Sequence, residues 1–187
     1  MVKRVFKLFF DFEKEEAWLN DMARHGWMMD SFFLGVYQFS EGPPEEYVYR
    51  IELLPQAAAS AGSRPYLRFL EETGAEVVST WFRWAYYRKK ACDGDFEIYT
   101  DIGSRIGHYK RVACFMYPVC VLEWCMALIQ GINFFMALAD PYGVHVPAGF
   151  SLFFFMFGLL AGIGIFRAAR RSQLQYRRLE REKIIQE

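Results

Sequence analysis

Histidine and paired cysteine are what this 187-residue sequence most lacks. Only His25, His108 and His145 occur, far apart, and Cys92, Cys114, Cys120 and Cys125 show no Cys-x-x-Cys spacing. Neither a zinc site nor a disulfide frame fits that pattern, and three of the cysteines sit in an apolar run as small, reduced hydrophobes. There is no glycine-rich phosphate loop, no nucleophile elbow and no paired acid and base, so the sequence predicts no enzyme, no cofactor and no metal. Asp93, Asp95 and Glu97 alternate around Gly94, but a calcium loop needs more oxygen ligands at set positions, and a solvated turn is the reading they support. A signal peptide is also missing. Met1 to Lys7 is basic, yet Asp11, Glu13, Glu15 and Glu16 follow before any apolar core can form, which predicts a cytoplasmic N-terminus.

The formal net charge is zero, but it is unevenly held. Residues 1–100 carry 12 Lys/Arg and 16 Asp/Glu, and residues 101–187 carry 10 and 6. An acidic front half argues against nucleic-acid binding, which favours a basic face that displaces phosphate counterions. The basic back half suits the anionic inner leaflet of a membrane.

Long apolar runs supply what the motifs do not. From Val112 to Leu138 only Glu123 is charged, and from Ala148 to Phe166 nothing is. Each run approaches or exceeds the ~20 residues that cross hydrocarbon as a helix. The intervening Asp140-Pro141-Tyr142-Gly143-Val144-His145-Val146-Pro147 breaks helix and predicts a tight return. Lys110 and Arg111 precede the first run, while Arg167, Arg170 and Arg171 follow the second. Positive flanks stay inside, so the expectation is a multi-pass cell-membrane protein with both termini cytoplasmic. Gly158 and Gly162 form a Gly-x-x-x-Gly pair suited to close helix approach. Ser172 to Glu187 is expected to form a basic cytoplasmic helix.

The first 100 residues repeat themselves at a spacing of about 48. Trp18-Leu19-x-x-Met22-x-x-x-Gly26 matches Tyr66-Leu67-x-x-Leu70-x-x-x-Gly74, Met28 to Phe33 matches Glu76 to Phe82, and Gly35-Val36-Tyr37 matches Trp84-Ala85-Tyr86. Strand-like segments precede both helices, at Arg4 to Phe10 and Glu46 to Leu53. The sequence therefore predicts an α+β fold: a duplicated β-α-β-β unit forming one largely antiparallel six-stranded sheet with two helices on one face. Asp11 is the expected N-cap of the first helix, and Ser63 and Pro65 mark the start of the second. Gln56 to Gly62 reads as a flexible connection. Phe96 to Tyr99 is expected as an edge strand, and a helix is expected to run from Ile102 into the first span. The organisation is then a domain over 1–100, a membrane hairpin over 101–171 and a terminal helix over 172–187.

Two features are candidates for function. Trp81, Trp84, Tyr86 and Tyr87 place rings on both faces of the last hairpin, which predicts either an exposed aromatic surface for a protein partner or extra core. Glu123 lies about 16 Å into the first span at ~1.5 Å per residue, where a carboxylate is costly. Gln130, Asn133, Ser151 or a residue of another protein would satisfy it, or it stays protonated.

The stretch Lys7-Leu8-Phe9-Phe10-Asp11-Phe12-Glu13-Lys14-Glu15-Glu16, with Trp18-Leu19-Asn20, Met22 and Gly26-Trp27, then Tyr49-Arg50-Ile51 and Tyr86-Tyr87-Arg88-Lys89, resembles a family catalogued as a domain of unknown function. The family is one of small bacterial membrane proteins, mainly Gram-positive, often encoded beside PadR-like transcriptional regulators. Ala75 and Glu76 depart from its more hydrophobic pattern. The resemblance spans about residues 3–110 and brings no catalytic residues. The leading expectation is a membrane-anchored, non-enzymatic adaptor for a cytoplasmic protein such as a PadR-like regulator. The alternatives are an accessory subunit of a transporter or envelope complex, docking through Glu123, Gly158 and Gly162, and a small-ligand sensor using a cleft between the repeats. Expected partners are the lipid bilayer and a protein, with a homo-oligomer also open.

Overall fold

Asp11 starts the first helix as its sequence suggests. Its backbone is extended, its carboxylate accepts the Glu13 N–H at 3.1 Å, and Glu13 and Glu15 stand in the first turn, where the helix dipole favours negative charge. Gly26 ends the segment at φ +80°, where an added Cβ would stand 2.9 Å from the Gly42 carbonyl oxygen. The second helix has proline in its first turn and ends before Gly74 at φ +88°.

The computed structural model describes residues 1–140 and 146–186, so the expectations for Pro141, Gly143 and His145 fall outside the described residues. The order is β1 (Val2–Phe6), α1 (Phe12–Arg24), β2 (Trp27–Phe33), β3 (Val36–Glu41), β4 (Tyr47–Leu53), α2 (Arg64–Glu72), β5 (Glu76–Trp81), β6 (Trp84–Lys90), α3 (Ile102–Ala139) and α4 (Ala148–Gln186). Residues 1–104 form one unit and 105–187 another.

The β-α-β-β order occurs twice, but the strands build two antiparallel three-stranded sheets, β1-β3-β2 and β4-β6-β5, rather than one of six. The reason lies in matching bulges. Register shifts between Met29 and Ser31 in β2 and between Val77 and Ser79 in β5, so neither strand offers a regular edge where the sheets meet. Ser79 bridges the gap: the Phe32 N–H donates to its hydroxyl at 3.2 Å, and that hydroxyl donates to the Phe32 carbonyl at 3.3 Å.

The structural repeat keeps a constant 48-residue offset through the hairpins. Phe33 faces Val36 in one and Trp81 faces Trp84 in the other. Tyr37 therefore corresponds to Ala85, not to Tyr86, and a one-residue slip of that kind moves a side chain to the opposite face.

The helices also depart from expectation, because they lie on opposite faces of the second sheet. Tyr86 points to α1, and its hydroxyl donates to Glu15 Oε1 at 2.7 Å. Its neighbour Tyr87 points to the other side, into a core of Leu54, Leu70, Ala75, Ala85 and Phe96 built on α2. Phe96 to Tyr99 forms no strand; Phe96 fills that core and the Tyr99 hydroxyl donates to Glu52 instead. On the first sheet α1 covers Tyr37 and Phe39, whose rings lie 4.9 and 5.6 Å from Trp18.

One helix thus serves both sheets, and polar side chains fix it. Asn20 Oδ1 accepts the Tyr49 N–H at 2.8 Å, Asn20 Nδ2 donates to the Tyr49 carbonyl at 3.0 Å, and Glu16 Oε2 accepts the Ile51 N–H at 2.9 Å. Two residues four apart on α1 stand in for the missing neighbour of edge strand β4.

In the second unit α3 and α4 run for 38 and 39 residues, about 57 Å each at ~1.5 Å per residue. Both are long and apolar enough to cross a membrane, with windows of mean hydropathy 2.0 and 2.1 that are only 22% buried. A core helix of a soluble protein would be mostly covered. The stretch expected as a basic terminal helix is helical through Gln186, as an uninterrupted continuation of α4.

Replacing Asn20 by Ala leaves a strand N–H and C=O without partners, and Asn20→Ala is expected to lower unfolding free energy by roughly 1–3 kcal/mol, measured by chemical denaturation.

Candidate functional site

The aromatic run of β6 is mostly core. Trp84, Tyr86 and Tyr87 are buried, Tyr87 completely, which removes them from any contact surface. Trp81 alone of the four is exposed, its ring 6.1 Å from Phe32 in an edge-on arrangement. Burial follows from α1 and α2 covering opposite faces of this sheet, so a strand with rings on both sides needs no partner to hide them.

The tyrosines bring two buried carboxylates with them. Glu15 Oε1 accepts from Tyr37 at 2.6 Å and from Tyr86 at 2.7 Å, on the α1 side. Glu52 accepts from Tyr66, Tyr87 and Tyr99 on the α2 side. Burial pushes Glu15 above the usual carboxylate range, against the opposing pull of the two phenols, and raises the tyrosines too. Glu16 is likewise raised, again chiefly by burial, with the Ile51 N–H and Arg50 working the other way. These are acids whose hydrogen bonds hold the fold together, and sequence spacing gave no sign of them because the partners lie up to 71 residues apart. Among the described residues no group of three or more His, Cys, Asp or Glu is placed to hold a metal. Side chains fill the junction between the repeats, with Phe32 4.8 Å from Tyr37 and 4.9 Å from Tyr86.

What the sequence did not reveal is the far face of the first sheet. Neither helix covers it. Phe6 is 68% and Phe33 65% exposed, with Val36 between them and Leu8 and Leu34 at the rim; Val2 is exposed at the other end of β1, beyond the row of Arg4, Gln38 and Ser31. Leu34 holds φ +46°, an unusual cost for a branched side chain at an exposed hairpin tip. The available signal was the alternation Val2, Arg4, Phe6 in β1, which puts apolar side chains and one cation on one face.

In the hairpin, Gly158 and Gly162 pack against α3 of the same chain. A Cβ on Gly158 would stand 2.9 Å from that of Ala127, and one on Gly162 would stand 2.1 Å from Trp124 Nε1. The Cys120 thiol reaches the Gly162 carbonyl at 3.4 Å, and the Tyr117 hydroxyl donates to Gln173. Buried Cys120, Ala127 and Gly131 recur at steps of seven and four, the seam spacing of antiparallel helices. Glu123 is half-buried at this seam, its Oε1 3.4 Å from where a Gly158 Cβ would lie. Among the described residues no hydrogen bond joins it to Gln130, Asn133 or Ser151; Asn133 instead donates to Gln130 at 3.3 Å.

Two outcomes are expected. A carboxyl whose folded pKa is raised binds protons more readily in the native state. Stability then falls as pH rises from the ordinary Glu range through the raised value. Glu15→Gln keeps an oxygen acceptor for both phenols, so its denaturation midpoint should match the parent at acid pH and exceed it at neutral pH. Gly162→Leu forces Trp124 out of the seam, and spin labels on α3 and α4 should then report a wider and broader distance distribution.

No curated protein matches the chain, and no solved structure does. A family model described as "Protein of unknown function (DUF2812)" matches residues 11–121, which takes in α1, both sheets apart from β1, and the first half of α3. Because that match covers more than half of the sequence, the chain belongs to the DUF2812 family.

Proposed function

We propose that this protein is a membrane-anchored adaptor. Its two apolar helices thread a bilayer as a hairpin with both termini in the cytoplasm, and its α+β head binds a protein partner through the uncovered face of the first sheet. The observation that carries this reading is the exposed apolar face of Val2, Phe6, Phe33 and Val36 in a head whose other sheet is covered on both sides. Monomeric proteins rarely leave such a surface without a use.

Other features support it. Basic residues flank the apolar runs only at the ends away from Asp140, the arrangement that keeps termini inside. The buried carboxylates hold structural hydrogen bonds, which favours a contact role over chemistry. A PadR-like regulator remains the partner class suggested by the family resemblance. The accessory-subunit reading is weaker, because the glycine face it would use for docking already packs against α3.

Two measurements test the proposal on full-length protein in cells. A cysteine placed at Asp140 should react with a membrane-impermeant maleimide from outside, whereas exposed Cys92 should react only after permeabilisation. The reverse pattern overturns the topology. A photo-crosslinking residue at Phe33 should capture one defined protein, and capture should fall several-fold with Phe6→Ser; a crosslinker at Phe69 on α2 serves as control. Equal capture from both positions removes the first sheet as the contact face.

A further inference from the structure

We infer that the open edge of β1 accepts an extended segment of a partner protein as a fourth strand of the first sheet, one that carries an acidic residue between two apolar ones along the face it shares with Val2, Arg4 and Phe6. This rests on the adaptor reading for the partner being a protein, and it adds how that protein is gripped.

The direction of the backbone groups sets the site. The Lys7 N–H donates to the Gly35 carbonyl at 2.8 Å and the Glu41 N–H to the Met1 carbonyl at 3.2 Å, so the odd-numbered residues of β1 face β3. Val2, Arg4 and Phe6 therefore turn their N–H and C=O groups outward. Their counterparts in the second repeat are Tyr49, Ile51 and Leu53, which hold the same places opposite β6. There the side chains of Asn20 and Glu16 take the Tyr49 and Ile51 groups. Among the described residues no such clasp is made on β1.

The occupant follows from charge and shape. Positions 48 residues on from Glu16 and Asn20 are Arg64 and Arg68, which have no acceptor to offer a strand N–H, so α2 of a second copy cannot repeat the clasp on β1. Nor does β1 suit a second β1. The antiparallel register that pairs all five residues sets Arg4 directly against its own copy, and like charges so placed destabilise a sheet. A strand with a carboxylate opposite Arg4 and apolar side chains opposite Val2 and Phe6 matches both charge and face. The carboxylates of this sheet are engaged elsewhere: Asp30 on β2 accepts from the Ser40 hydroxyl at 2.9 Å, and Glu41 on β3 pairs with the Met1 ammonium at 3.5 Å. A lipid surface would cover the rings but leave the outward amides without partners, whereas a strand supplies both.

The test uses full-length protein in lipid nanodiscs and a fluorescein-labelled probe, Thr-Val-Thr-Glu-Thr-Val-Thr. Three comparisons are made: the same peptide with Lys for Glu, the same peptide N-methylated at alternate residues, and the Arg4→Glu variant, whose side chain is exposed. The Glu peptide is expected to bind roughly fivefold tighter than the Lys peptide. Arg4→Glu should invert that preference, N-methylation should abolish binding, and hydrogen exchange at the Arg4 and Phe6 amides should slow on binding. No binding at about 1 mM peptide, equal binding of the methylated peptide, unchanged exchange, or a preference that survives Arg4→Glu each overturns the inference. Phosphatidylserine vesicles that protect the same face with no peptide effect overturn it also. If Phe33 still crosslinks to a protein while the peptide fails, the adaptor reading stands and only strand addition is lost.

Discussion

The grip of α1 on the edge of β4 is the contact on which the head depends. Asn20 and Glu16 give a strand what another strand would give it, and they do so from a helix that belongs to the other repeat. Without that grip β4 would carry an open row of amides, and the two sheets would be left with Ser79, the rings around Phe32, the Met29 N–H donated to the Tyr49 hydroxyl and the Glu15 carboxylate shared by Tyr37 and Tyr86. Edge strands have to be closed or made unattractive, and here one is closed by side chains.

From this follows an asymmetry that the duplicated sequence conceals. Each helix covers its own sheet, but α1 also covers the back of the second, so the second sheet is buried on both faces and the first on only one. The buried carboxylates fit the same geometry. Glu15 is enclosed between the sheets and Glu52 beneath α2, and each is surrounded by phenols, the donors that a buried acid needs. The far face of the first sheet stays open, with its rings, one arginine and an unclosed edge.

The hairpin obeys a different constraint. Helices this apolar, if they cross a bilayer, gain no hydrophobic attraction from each other, so close approach would rely on small residues and on polar groups that meet across the seam. Gly158 and Gly162 allow that approach to Ala127 and Trp124, and the Cys120 thiol and Tyr117 hydroxyl add hydrogen bonds. The family match ends at residue 121, within α3, so the return helix and its glycines lie beyond the matched region.

Periodicity and composition were enough for the β-α-β-β order met twice, the caps at Asp11 and Gly26, the helix starts at Ile102 and Ala148 and the two apolar runs, because each depends on neighbours a few residues apart. They misplaced what depends on distant contacts, namely the single sheet, the side on which α2 packs and the alignment of Tyr37, and they left open whether Trp84, Tyr86 and Tyr87 are surface or core. A ring on a strand looks the same in sequence whether a helix covers it or water does. Only the packing of α1 against a sheet 30 residues further along the chain decided which face was closed, since hydrogen bonds such as Asn20 to Tyr49, 29 residues apart, leave no periodic trace.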